Sequence, residues 1–478
     1  MADQLGTDGR ARHAVVIGSG IAGLLAASVL AEYAQRVTVV ERDRLPDGPE
    51  LRPGVPQGRH THVLLEGGQV ALEQLLPGVL GELRAQGAPE VGLPGDVVQW
   101  QNGYWFRRTP ATTHMFTGTR PRLEHIVRRR VLANPRIEVA DGTEVAGLTG
   151  DDKRVRGVLL RERGAGRGAG RGGERNGERN GERSLDADLV VDASGRGSRA
   201  PEWLAAMGAE PPHEETIDTG LAYATRLYRD GSNGHLADCL GYFVVPCPTQ
   251  THGGVIMPVE DDGLHLVTLS GLRGDEPPTD AEAFEKFAET LPRSVLSEWL
   301  AKAEPQTAVH SFRKTANVRR RYDRPGRRPA GFLAIGDAMC TFNPVYGQGM
   351  AVAAISAVAL RDALADPRRT PTTRRVQRAL FTASAQAWDI SAGSDKNMPG
   401  AVGNAVGSRI ADRPALWYLR RVQARYPADP VVGAAFRRVL SLAAPISALF
   451  APDVARVVLF APVAETPDGP PQLPERAT

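Results

Sequence analysis

His13-Ala14-Val15-Val16-Ile17-Gly18-Ser19-Gly20-Ile21-Ala22-Gly23 is the stretch that decides the fold. Residues 13–17 are a short β-branched apolar run, the mark of a buried strand in a parallel sheet. The run meets glycines spaced for a strand-to-helix turn. Gly18 permits the tight turn, Gly20 removes the side chain that would block a pyrophosphate, and Gly23 lets the next helix pack closely on the strand. An apolar helix over 21–30 leads to a second strand over 37–40, which ends in Glu41, 23 positions after Gly18. An acidic side chain placed there accepts ribose hydroxyls. Gly18, Ser19, Gly20, Ile21, Ala22, Gly23 and Glu41, with Arg42 beside them, therefore form a candidate dinucleotide site. FAD and NAD both remain open.

Two later stretches bear on that choice. Residues 188–192 read as another buried strand, and Asp192 ends it at the start of Ala193-Ser194-Gly195-Arg196-Gly197-Ser198-Arg199, where a sheet of this kind binds ligands. Residues 332–337 read as a strand ending in Gly336-Asp337, followed by Asn343-Pro344-Val345-Tyr346-Gly347-Gln348-Gly349-Met350, which opens an alanine-rich helix. Gly347 and Gly349 leave backbone N–H groups free at that helix start. A helix N-terminus stabilises negative charge, and a reduced flavin carries such a charge while nicotinamide does not. The third motif favours a flavin.

With these motifs in this order, the sequence resembles the FAD-dependent monooxygenases of the para-hydroxybenzoate hydroxylase and squalene epoxidase group over most of residues 14–364. It is most similar to an actinobacterial branch with polyether-type epoxidases, through Gly54-Val55-Pro56-Gln57-Gly58-Arg59-His60, the run 192–199 and the run 336–350. A count of 53 Arg against five Lys suits a high-GC genome. The resemblance implies that Asp337 binds the ribityl chain, that Pro344 lies by the flavin ring, and that Gly347, Gln348, Gly349 and Met350 sit near its pyrimidine edge. It further implies cofactor contacts at Arg52, Gln57, Arg59, Arg120 and Val145, with FAD held noncovalently.

The departures from that family matter as much. Aromatic hydroxylases of the group carry an adjacent Asp-Gly in the middle motif, which also serves NAD(P)H, whereas this chain has Asp192-Ala193-Ser194-Gly195. NAD(P)H is therefore expected as electron source either directly or through a separate flavin reductase. Flavin-dependent halogenases need an early lysine and a WxWxIP segment; here the first lysine is Lys153 and no such segment occurs.

The expected fold class is α/β (α+β): a Rossmann-like FAD-binding domain of the glutathione-reductase type, a β-sheet substrate domain and a helical C-terminal region. The expected boundaries are 1–95, 119–215 and 310–365 for the first, 96–118 and 216–309 for the second, and 366–478 for the third. Strands are expected over 98–106, 112–117, 220–228, 242–245, 253–259 and 264–270, and helices over 121–132 and, from a Thr279/Glu282 capping box, to Leu291. Trp105, Phe116, Tyr223 and Met257 are the candidate substrate-pocket residues. Residues 439–452 read as a packed C-terminal helix, and residues 163–183, without a large apolar side chain, as a disordered hairpin loop.

Composition excludes several classes. The 478 residues suit two or three domains, and 42% hydrophobic with 24% charged residues is ordinary for a folded chain. A net charge of +3 makes no case for nucleic acid. Cys239, Cys247 and Cys340 form no CxxC pair, so free thiols and no metal are expected. No stretch reaches the length of a membrane span, and the polar start suggests a cytoplasmic protein. The function implied by the resemblance is transfer of one oxygen atom from a flavin C4a-hydroperoxide to a small hydrophobic polyketide or terpenoid in antibiotic biosynthesis, with alkene epoxidation favoured. Aromatic hydroxylation, for which Tyr223 or His114 could orient a phenol, and a flavin dehydrogenase of the geranylgeranyl reductase type are the alternatives. No catalytic acid or base is assigned.

Overall fold

The computed structural model describes residues 13–162, 182–231, 238–261, 263–324, 326–407 and 413–472. Its central element is a five-stranded parallel sheet in the order Phe332–Ala334, Leu189–Asp192, His13–Ile17, Arg36–Val40, Ile137–Ala140. Val15 lies opposite both Val190 and Thr38. Every residue of His13–Ile17 and Leu189–Asp192 is buried, as a sheet covered on both faces requires. The helices Ile21–Leu30 and Thr373–Asp395 and the strands Thr143–Gly150 and Val155–Glu162 pack against it, and the helix Gly349–Ala365 lies on Ile21–Leu30. The edge strand Phe332–Ala334 is closed by a side chain: Gln377 accepts from Ala334 N at 2.8 Å and donates to Ala334 O at 3.0 Å. A side-chain amide thus takes the place of a further strand.

The mixed α/β class with a helical C-terminal region is as expected. An eight-stranded sheet collects Ala222–Arg229, Gly241–Val244, Gly253–Pro258 and Leu264–Gly271 with Val97–Gln101 and Tyr104–Trp105. Helices Ala281–Phe287 and Val295–Leu300 pack beneath it through Phe284, Leu296 and Trp299.

Local departures have local causes. The strand expected over 98–106 is two strands, because Asn102 (φ 54°) and Gly103 (φ 89°) make a left-handed pair that turns the chain into a hairpin. Thr113–Gly118 pairs with His62–Leu65 and Glu90–Leu93 instead of with the large sheet. The cap of the helix Ala281–Phe287 is Asp280, whose carboxylate accepts from Ala283 N at 2.9 Å, and Thr279 plays no such part. Residues 439–452 are not one helix. The helix Pro430–Leu440 ends before Leu442, at φ 59°, and a short 3-10 turn, Ile446–Phe450, follows Pro445. Residues 163–181 of the expected loop lie outside the described residues; the strands on either side, Val155–Glu162 and Glu182–Asp186, pair antiparallel with Arg161 opposite Glu182.

No described helix is long and apolar enough to cross a membrane. The three cysteines are free, and no group of potential metal ligands occurs among the described residues.

Candidate active site

The carboxyl ends of the parallel strands open on a cavity of about 580 Å³. The first turn is built as glycine chemistry demands. Gly18 sits at φ +97°, where a Cβ would meet Ala193 O at 2.7 Å, and a Cβ on Gly23 would lie 1.9 Å from Gly18 O. Gly20, the N-cap of the helix Ile21–Leu30, has nothing within 4 Å of a would-be Cβ, so its backbone is open to the cavity. Gly18, Gly20, Ile21 and Ala22 line the cavity, while Ser19 and Gly23 face the protein.

Ser19 turns inward because Glu41 holds it, accepting from Ser19 N at 2.9 Å and from its hydroxyl at 2.7 Å. Glu41 also accepts from Asp43 N at 3.0 Å and pairs with Arg52 at 3.2 Å. Desolvation pushes the Glu41 carboxyl up, but the N–H groups of Asp43 and Ser19 and the Arg52 charge outweigh it, and the group lies below its ordinary range. Arg52 bridges onward to Glu124, with which Arg120 forms a 3.5 Å ion pair. That pair is made by the buried Nε of Arg120, which forms no hydrogen bond among the described residues. Glu41, Arg42, Arg52, Gln57, Arg120 and Val145 line the cavity; Arg59 is exposed and does not.

The second expected motif works differently from its assignment. Asp192 does not reach the cavity: it accepts from Ser194 N at 3.0 Å and from the hydroxyls of Ser194 and Ser198, each at 2.5 Å. It folds the turn so that Ala193, Ser194, Gly195, Arg196 and Gly197 form the wall. Arg196, passed over in the sequence, is fixed by the carbonyls of Ala316 at 2.7 Å and Phe342 at 3.2 Å.

The third motif closes the opposite wall. Gly336, at φ +60°, lies so near the first helix that a Cβ would stand 2.6 Å from Ala22 Cβ. Asp337 follows it into the cavity and receives no hydrogen bond on its carboxylate among the described residues. Burial pushes its carboxyl up, against the charges of Arg196, Arg120 and Arg320. Pro344, Gly347, Gly349 and Met350 line the cavity, and the Gly349 backbone is open on that side. Gln348 holds the N-cap position of the helix Gly349–Ala365 without a side-chain capping bond, buried and away from the cavity.

Of the four expected pocket residues, only Tyr223 lines this cavity. Trp105 lies opposite Trp100 across the hairpin and enters the core under the large sheet. Met257 packs with Val91, Val97 and Met115, and Phe116 belongs to the core of the parallel-sheet layer. On strands whose inner faces meet other elements, their apolar side chains are consumed by packing. Phe312 lines the cavity beside Tyr223, 5.5 Å from it and tilted by 31°. His60 stands edge-on behind Tyr223 at 4.8 Å, and its Nδ1 bonds to Thr225 Oγ1 at 2.8 Å. Burial, with help from His310 and Arg59, pushes its imidazole down to about 4. Thr61 and His62 also line the cavity; burial pushes His62 down to about 3. The His-Thr-His run beside Gln57 was the available sequence signal for these residues.

Open backbone at Gly20 and Gly349, the Arg120 guanidinium on the wall and the Asp337 carboxylate, which receives no hydrogen bond among the described residues, fit an elongated ligand with phosphate, polyol and flat aromatic parts. These are the parts of FAD. Comparison with known proteins agrees. A family model described as an FAD binding domain matches residues 12–390. Protein Rv3254 of Mycobacterium tuberculosis (strain ATCC 25618 / H37Rv) is 36% identical over 360 residues, 74% of this chain and 73% of that protein. Among solved structures, the flavin-dependent brominase Bmp2 superposes with a TM-score of 0.60 at 15% identity, covering 90% of this chain and 93% of its own. The p-nitrophenol 4-monooxygenase PnpA from Pseudomonas putida DLL-E4 gives 0.58 at 18% identity, covering 84% and 91%. At such identities the structural likeness establishes the fold.

Proposed function

The chain belongs to the FAD binding domain family, and from that premise we propose that it is a flavin-dependent monooxygenase which epoxidises an alkene in a small hydrophobic polyketide or terpenoid. The observation that carries this reading is the single cavity that runs from the Gly18–Gly20 turn past Asp337 and Gly347 to the aromatic wall of Tyr223 and Phe312. Cofactor and substrate therefore share one enclosure.

In this proposal Gly18 and Gly20 present backbone to the pyrophosphate, Glu41 takes the ribose and Asp337 the ribityl chain. Arg120 supplies its guanidinium, Val145 meets the adenine, and Pro344, Gly347, Gly349 and Met350 border the ring. Bound FAD supplies the hard chemistry: once reduced, it activates dioxygen for transfer of one atom. The chain's own task is to bind, orient and keep water out. Tyr223 and Phe312 offer flat apolar surface, and no acid–base pair is needed to ionise an alkene as it is to activate a phenol.

Electrons come from NAD(P)H, directly or through a flavin reductase. Asp192 is engaged with its own turn, which supports the second route. Anaerobic bleaching of the flavin by NADPH or NADH, with and without an added reductase, separates the two.

The test of the reading is turnover with labelled dioxygen and panels of polyenes and phenols. Label in an epoxide supports it. Label in a ring hydroxyl leaves a monooxygenase but removes the epoxidase, and unlabelled oxidised product makes the protein a dehydrogenase. Lys314 also lines the cavity, so the assay includes bromide. A brominated product would replace oxygen transfer by halogenation.

A further inference from the structure

We propose that Asp395 is a positioning residue for the flavin, holding the turn that carries Pro344 and Gly347 and setting the charge behind it. The proposal rests on the reading that the cavity binds FAD.

Asp395 is the last residue of the helix Thr373–Asp395 and is 2% exposed. Both features oppose a carboxylate there. Desolvation disfavours the charge, and the C-terminal end of a helix carries partial negative charge of its own. No ion pair to it forms among the described residues, and the nearby Asp218 adds a like charge. Burial accordingly pushes the carboxyl up.

Neutral donors compensate. Tyr346 Oη donates to Oδ1 at 2.7 Å, while Asn317 Nδ2 at 2.7 Å and Asn343 Nδ2 at 2.9 Å donate to Oδ2. Asn317 Oδ1 in turn accepts from Asn343 N at 2.9 Å and from Ser391 Oγ at 2.6 Å. Three donors converging on one carboxylate are what its ionised, acceptor-only form requires. A site serving packing alone is better filled by an apolar side chain, because a buried carboxylate gains little net stability.

The donors show what the carboxylate controls. Asn343 precedes Pro344 and Tyr346 precedes Gly347, so Asp395 pins both ends of the turn whose Pro344 and Gly347 face the cavity. It also sets a negative charge behind the helix Gly349–Ala365, whose N-terminus attracts electrons onto a ring beside it. Removing that charge favours the reduced, anionic flavin.

Asp395→Asn tests this, since an asparagine can rotate to accept from both amides and donate to Tyr346 Oη. The measurements are the FAD dissociation constant, the midpoint potential of the bound flavin, and the melting temperature of the apoprotein. We expect about tenfold weaker FAD binding, a higher midpoint potential and a retained melting temperature. Asp395→Glu should restore the potential toward that of the wild type. Tyr346→Phe should weaken binding without raising the potential. If the wild type binds no FAD, the reading of the cavity fails. If it does, and Asp395→Asn binds FAD within twofold at an unchanged potential, the positioning role is overturned. Should Asp395→Asn not fold, Tyr346→Phe decides: weaker FAD binding supports the proposal, and unchanged binding overturns it.

Discussion

Ser19 gives both its backbone N–H, at 2.9 Å, and its hydroxyl, at 2.7 Å, to the same carboxylate oxygen of Glu41. The acid at the end of the second strand thereby locks the glycine turn at the end of the first, so one side chain both lines the cavity and shapes it.

Glu41→Gln should therefore destabilise the protein by about 2 kcal/mol at pH 7, because a charged acceptor is lost and Arg52 loses a partner. The folded carboxyl lies below its ordinary value of 4.5. Its contribution is thus complete above pH 4.5 and is lost as pH falls through the depressed folded value. Urea unfolding of both proteins from pH 7 to pH 3 should show the gap closing only below 4.5. A gap independent of pH would show that Glu41 is not ionised in the fold.

Asp337→Ala should lower FAD affinity at least tenfold and leave the melting temperature of the apoprotein within a few degrees. The carboxylate faces the cavity with no donor among the described residues, so removing it deprives the ligand and not the fold. Equilibrium dialysis with FAD, beside thermal melts without it, separates the two effects. Unchanged affinity would remove Asp337 from the ribityl contact.

The glycine-turn end of the cavity was legible because its geometry is backbone geometry. Gly18 and Gly23 leave no room for a Cβ, and a residue type that only one conformation tolerates is visible in a sequence. The aromatic wall at the other end was not legible. Trp105, Phe116 and Met257 have the apolar character of pocket residues, but that character serves a core equally well, and strand pairing alone decides between them. Asn102-Gly103 was a readable hairpin signal that would have separated Trp105 from the wall. Phe312 lies in a three-residue strand whose place depends on pairing with Tyr223, far away in the chain. Asp192 was located correctly at the strand end, yet its direction depends on Ser194 and Ser198, which compete for it.

His60 should make the fold acid-sensitive. In the unfolded chain its imidazole titrates near 6.5, whereas burial pushes it down to about 4 in the fold. Between these values the unfolded state holds a proton that the native state refuses, so stability falls as pH drops from 6.5 to 4, by up to about 1.4 kcal/mol per pH unit. His60→Gln removes this dependence but leaves that of His62, which persists down to about 3. Denaturant melts should give a flatter slope for the variant between pH 6.5 and 4. Parallel curves would mean that His60 is not buried as a neutral ring.

Tyr223 separates the two outcomes of oxygen transfer. Its ring lines the cavity between His60 at 4.8 Å and Phe312 at 5.5 Å, while its hydroxyl makes no hydrogen bond among the described residues. Burial pushes the phenol up, so it remains a neutral donor throughout the working pH range. Tyr223→Phe keeps the ring, its contacts and the apolar wall, and deletes the donor alone. An alkene uses the wall and has nothing to accept that hydrogen bond, so epoxidation should retain kcat and KM within about threefold, a change below one net hydrogen bond. A phenol or carbonyl anchored by the hydroxyl would lose about 1.4 kcal/mol, a tenfold rise in KM at unchanged kcat. Phe312→Ala, which removes the wall, should raise KM for either substrate class and so serves as the control. Steady-state kinetics on matched polyenes and phenols reads both variants, and a tenfold KM effect from Tyr223→Phe would move the favoured reaction from epoxidation to ring hydroxylation.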